Sequence, residues 1–127
     1  MFLNRYDFTL DVNAGGASTS YSSGTVNGEI RQITYTPDGS SPLDTGADLT
    51  ITGETTGMAI ATLTNIGTAA VSWAPRLATH TILGAAALYA AAGVAVLDRI
   101  AMSNERIKVV VAQGGTSLKG QLSIWVG

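Results

Sequence analysis

Glu105-Arg-Ile-Lys-Val-Val-Val-Ala-Gln-Gly-Gly-Thr-Ser-Leu-Lys-Gly-Gln-Leu-Ser-Ile-Trp-Val-Gly127 decides the reading of this chain. Successive side chains point to opposite faces of a strand, so equal parity means a shared face. Ile107, Val109 and Val111 share one face, with Val110 opposite; Leu122, Ile124 and Val126 share another, with Trp125 opposite. Two strands are expected, the second pinned into a sheet. Gly114 and Gly115 between them read as hairpin residues, because glycine tolerates positive φ. Trp125 is expected on an outer surface, against a neighbour or an N-terminal segment.

The same writing, short apolar runs broken by Gly, Ser, Thr and Asp, extends upstream. Tyr6, Phe8, Leu10 and Val12 alternate with polar residues and predict a half-buried strand. Residues 19–23 fit a short polar return strand. Residues 29–36 form another, with Ile33 and Tyr35 on one face and Ile30 on the other. Residues 48–52 and 58–63, joined across Gly53-Glu-Thr-Thr-Gly57, read as a hairpin. Val71 and Trp73 mark a further strand stopped by Pro75, and Val94, Val96 and Ile100 one more. Residues 37–46 are punctuated by Pro37, Gly39, Pro42 and Gly46 and read as a loop. The Ala-rich stretch 78–92 fits either a short helix across one end of the sheets or an irregular lid. Its helix propensity is high, but Gly84 and Gly93 bound only eight residues, too few for a helix without tertiary support.

About seven or eight short antiparallel strands with turns between them predict an all-β fold. It would be a β-sandwich or a partly closed barrel, with at most one short helix. At 127 residues the expectation is a single domain, 1–127. Charged residues make up 13% of the chain, about half the usual share, which removes a cheap defence against self-association. The formal charge of −2 and the lack of a Lys/Arg cluster argue against direct nucleic-acid binding. The absence of cysteine excludes disulfides, thiolate catalysis and Cys-ligated metals. Residues 81–97, the most apolar stretch, fall short of a membrane span in continuity and strength. The first residues lack the apolar core of a signal peptide, so synthesis in the cytoplasm is expected.

Nothing in the sequence assembles into catalytic apparatus, and no enzyme activity, cofactor or metal is expected. His80 is the sole histidine, and no Ser sits in an elbow motif. Asp38, Asp44 and Asp48 could offer oxygen ligands to a hard cation, but turn formation explains them better. Glu54 reads as a turn carboxylate, and the glycines lack the helix that a phosphate loop requires. Trp73, Trp125, Tyr21 and Tyr89 could build a sugar platform or an interface, with core filling as the plainer role.

Several segments together resemble small structural proteins encoded among the head genes of tailed bacteriophages. They are Asp48-Leu-Thr-Ile-Thr-Gly-Glu-Thr-Thr-Gly57, Pro75-Arg-Leu-Ala-Thr-His-Thr, Gly84-Ala-Ala-Ala-Leu-Tyr-Ala and Asn104-Glu-Arg-Ile-Lys-Val-Val-Val-Ala-Gln-Gly-Gly with Lys119-Gly120. The resemblance implies a virion component, such as a capsid decoration or cement protein. Such proteins are often trimeric, bind the major capsid protein and stabilise the head; a neck or tail position is the neighbouring alternative. It carries over no site residues. The expected contacts are therefore Phe2, Leu3, Leu43, Tyr89 and Trp125, with the loop at 37–46 as a further surface. A carbohydrate-binding β module is the competing expectation, and would place Trp125 and Tyr21 on one exposed face. A hydrolase would need His80 and a carboxylate to converge. Neither nucleic acid nor membrane is an expected partner.

Overall fold

The computed structural model describes residues 2–127; Met1 lies outside the described residues. The strands in chain order are β1 (Asn4–Asp11), β2 (Ser18–Tyr21), β3 (Val26–Pro37), β4 (Asp48–Gly53), β5 (Ala59–Leu63) and β6 (Val71–Trp73). They continue with β7 (Leu77–Ala78), β8 (Leu97–Asp98), β9 (Ile100–Glu105), β10 (Ile107–Ala112) and β11 (Lys119–Val126). No helix occurs among the described residues, so the fold is all-β as expected. Two of the strands beyond the expected seven or eight are β7 and β8, of two residues each, which flank the Ala-rich region.

One sheet runs β1-β11-β3-β6, with β9 also paired to β3; the other runs β2-β10-β4-β5. Every ladder is antiparallel. Alternation along β1 buries Phe8 and Leu10, and along β11 it buries Leu122, Ile124 and Val126. These meet Val109, Val111, Leu49 and Ile51 of the facing sheet in one apolar cluster. Removing each such side chain from water is worth about 1.5–3 kcal/mol. The final strand lies in the middle of its sheet, in register with β1 from Asn4↔Val126 to Asp11↔Lys119 and with β3 on its other side.

The decisive stretch departs from a hairpin in one respect. β10 and β11 belong to different sheets, and the Gly-rich segment carries the chain across the sandwich. Its glycines are required by close approach. The Gly114 N–H donates to the Gly16 carbonyl at 2.9 Å, and the Gly114 carbonyl accepts from the Asp44 N–H at 3.0 Å. A Cβ on Gly114 would come within 2.8 Å of Val12 Cγ1.

A second departure is at Ile30. Gln32 pairs with Trp125 and Ile30 with Val126, so Arg31 is an extra residue, a β-bulge. The bulge resets the parity, and Ile30 and Ile33 are both fully buried. The Arg31 side chain, freed from the ladder's alternation, donates from Nε to the Gly127 carbonyl at 3.0 Å.

The loop at 37–46 is a plug. Leu43 is fully buried, as is Ala47 just beyond it. The loop is tied down through Lys119 N–H to Ser41 C=O and Ile66 N–H to Ala47 C=O. Beside it the Tyr35 hydroxyl donates to the Gly67 carbonyl at 2.7 Å, and burial pushes its pKa up to about 12.

The opposite behaviour marks residues 76–99. The chain leaves β6, passes Pro75, and folds back on itself outside the core. β7 pairs with β8, and isolated bridges join His80 to Ala86 and Leu88 to Ala95. The resulting arm is not a helix but an irregular ribbon of turns and isolated bridges. Its turns use Gly84 and Ala92, both at positive φ, and a left-handed Ala interrupts the helix that alanine propensity alone would favour.

Candidate functional site

The body presents polar outer faces. On the first sheet, Asp7, Ser123, Thr34 and Ser72 stand side by side across four strands. Ser123 donates to Asp7 at 2.6 Å, and the Thr34 and Ser72 hydroxyls share a hydrogen bond at 2.7 Å. On the second, the matching row is Thr19, Val110, Thr50 and Thr62. The second row is mainly hydroxyl-bearing, while the first face mixes hydroxyls with Arg5, Asp11, Lys119, Gln121 and Trp125.

The arm presents the reverse. Between residues 76 and 99 no residue is buried, yet this is the most apolar stretch of the chain. Of ten large hydrophobics exposed among the described residues, seven belong to it: Leu77, Ile82, Leu83, Leu88, Tyr89, Val94 and Leu97. Ile82 at the first turn is fully exposed. The backbone, by contrast, is pinned by hydrogen bonds across the ribbon. Thr79 N–H donates to Val96 C=O at 2.8 Å, Ala87 N–H to Thr79 C=O at 3.0 Å and Val96 N–H to Ala87 C=O at 2.9 Å. The Thr79 hydroxyl adds a further bond to Val96 C=O. The turns close through Thr81 N–H to Ala85 C=O and Tyr89 N–H to Val94 C=O. The arm thus has a defined backbone and no core of its own. No Lys, Arg, Asp or Glu occurs from residue 77 to residue 97.

The five expected contact residues separate accordingly. Tyr89 lies on the arm, 76% exposed. Phe2, 90% exposed, and Leu3 precede β1 beside Gly127, whose missing side chain makes room for Leu3. Trp125 is half-buried on the outer face of β11, between Arg5 and Gln32 on the flanking strands. Leu43 is withdrawn into the core, so its side chain offers no outer contact; a loop residue can be buried when the loop caps a sheet end. Sequence reasoning missed Ile82, Leu83 and Val94. Their signal was an apolar stretch without the periodicity that a strand or helix uses to bury residues.

The titratable groups do other work. Glu105 ends β9 where the chain crosses to β10, and its Oε1 accepts the backbone N–H groups of Thr55 and Thr56 at 3.0 and 3.1 Å. Those bonds, the Thr56 backbone N–H foremost, hold its carboxyl below the usual glutamate value of 4.5. Gly53 is bare for this reason: a Cβ there would sit 2.4 Å from Glu105 Oε1. Glu54 pairs with Arg106 through both carboxylate oxygens, which lowers the Glu54 pKa and raises that of Arg106. The same guanidinium lies 4.5 Å from the Tyr21 ring centroid. Asp38 accepts the Ser40 and Ser41 N–H groups, and Asp48 binds the Asn65 N–H and the Gln113 amide. These are turn carboxylates with their partners in place. Among the described residues no three His, Cys, Asp or Glu side chains cluster in a way that could hold a metal ion.

His80 lies on the exposed arm. Tyr21 and Trp125 project from the outer faces of different sheets, so they do not share a platform. A polar cleft of about 260 Å³ lies between Asn4–Asp7 of β1 and Ser22–Ser23. Among the described residues no helix is long and apolar enough to cross a membrane.

Comparison with known proteins adds little. No family model matches the chain, and no curated protein matches it. Among solved structures, the crystal structure of FLHE aligns over 98% of this chain and 96% of that one, at 10% identity and a TM-score of 0.42.

Proposed function

We propose that this chain is a virion structural protein that binds the capsid surface and stabilises a phage head. On this reading it is made in the host cytoplasm and acts as a non-enzymatic homo-oligomer, expected to be a trimer, with the major capsid protein as its partner. It needs neither nucleic acid nor membrane.

The observation that carries the reading is the arm: a hydrogen-bonded apolar projection, without Lys, Arg, Asp or Glu from residue 77 to residue 97, on a body whose core is complete without it. Such a surface is costly for a free monomer to expose and is the usual mark of an interaction site. A structural protein gains from it twice. Binding stabilises the folded form by mass action, and symmetry repeats each modest contact many times. The resemblance of the segments around the arm to phage head proteins supplies the context. The sealed polar body fits a protein whose chemistry is attachment.

Co-sedimentation with empty capsids tests the proposal. The expected result is pelleting of the chain with capsids in a fixed, saturable ratio, and a rise in the temperature at which capsids rupture. A chain that remains in the supernatant at all capsid concentrations overturns the decoration role; pelleting only with tailed particles would move it to the neck or tail.

A further inference from the structure

We infer that the arm is a self-docking element, covered by the arm of a second copy of this chain. The inference rests on the self-assembling half of the reading above and is independent of capsid attachment.

Three observations select the occupant. First, the arm's backbone hydrogen bonds are made within the arm, Val96 N–H to Ala87 C=O among them. These bonds run between the two legs of the ribbon, and what a partner has to cover is its exposed apolar side chains. A small ribbon with one layer is marginal alone and becomes stable when a second layer packs on it. Second, residues 77–97 contain no Asp, Glu, Lys or Arg. Around a two-fold axis the same patch faces itself, and a charge close to the axis would meet its own sign. This patch meets none. It also offers no charge to an acidic, basic or phosphate-bearing partner.

Third, the rest of a second copy is a poor match. Outside the arm only Phe2, Leu3 and Tyr21 are large exposed hydrophobics among the described residues, and the outer sheet faces are mostly polar, with Trp125 half-buried. The apolar surface that an identical chain can offer an arm is therefore another arm. The exposed part of the seven arm side chains is on the order of the ~800 Å² per partner of a standard protein–protein interface. Aromatic residues near the centre of such contacts carry most of the affinity, which singles out Tyr89.

The test uses the full chain, without capsids, by sedimentation and native mass spectrometry across a concentration series. The expected result is a discrete oligomer. Ile82→Ser with Leu83→Ser, and separately Tyr89→Ser, should each weaken association by at least about 30-fold. Because these side chains lie outside the core, the far-UV spectrum of the variants should be unchanged. A second measurement uses the lack of cysteine. Leu83→Cys introduces a single thiol, and mild oxidation should link copies through their arms. A monomer at every concentration overturns the inference, as does an oligomer unaffected by both arm variants or a Leu83→Cys chain that stays uncrosslinked. A monomer that still pellets with capsids would keep decoration and refute self-docking. An oligomer that ignores capsids would do the reverse.

Discussion

In the body, Leu10, Ile33 and Ile124 are removed from water by a facing sheet; in the arm, Leu77, Ile82 and Val94 belong to a hydrogen-bonded ribbon with no facing layer. The two regions separate what hydrogen bonds and hydrophobic burial each do. Backbone bonds select a shape from the possible ones, at a net gain of about 1 kcal/mol each. Burial then supplies the free energy that offsets chain entropy. The body has both. The arm has the first and lacks the second within one chain, so its missing layer has to come from outside.

The contrast can be broken by mutation, and the largest effect should come from the centre of the body. Ile124→Ala is expected to cost about 3–5 kcal/mol in urea denaturation, since it empties a site sealed by both sheets. A loss under 1 kcal/mol would mean that the core is not the stabilising region. Tyr35→Phe should cost less, about 1–2 kcal/mol, because it deprives the Gly67 carbonyl of its buried donor. An unchanged denaturation midpoint would refute the assigned role of that bond.

A third change reads the corner at Glu105 through pH. Its folded-state pKa is lowered by the Thr56 and Thr55 N–H groups, so the unfolded chain takes up the proton first as pH falls. Its contribution is present above the ordinary glutamate value of 4.5 and is lost as pH drops through the lower folded value. Asp38 and Glu54 are lowered as well and act in the same direction. Glu105→Gln should therefore flatten the plot of urea midpoint against pH below that value without abolishing its slope. Curves parallel to wild type would contradict the linkage. The smallest effect belongs to the arm. In dilute monomer, Leu83→Ala should change unfolding free energy by less than about 0.5 kcal/mol. A loss of 2 kcal/mol would show that the arm is part of the body's core and remove the distinction.

Much of the body was legible because alternation reports faces directly. Tyr6 to Val12, the β4–β5 hairpin and the β11 face follow from it. Partners were less legible than faces. Residues 105–127 suggested a hairpin since a Gly-rich turn between two strands looks the same whether it reverses within a sheet or crosses between sheets. Only the crowding of Gly114 against Gly16 and Val12 distinguishes them. The bulge at Arg31 was invisible, because one inserted residue changes parity without changing composition. Leu43 was read as an outer contact for a similar reason: turn chemistry locates a loop but does not say which of its side chains point inward. The arm was visible only as a refusal to fit. Its apolar residues matched no period, and alanine propensity favoured a helix that Gly84, Gly93 and the left-handed Ala92 deny.

The position of β11 has a consequence for how the molecule is made. It pairs on one side with β1 and on the other with β3, strands that leave the ribosome more than eighty residues earlier. At about 5–20 residues per second, those strands wait seconds for the strand that joins them. Throughout that interval they present unpaired edges, the state most open to wrong partners. Long-range antiparallel closure is also slow in itself. Translation therefore sets the order of events: the arm and the β4–β5 hairpin can form as they emerge, and the body closes last, around residues 119–126.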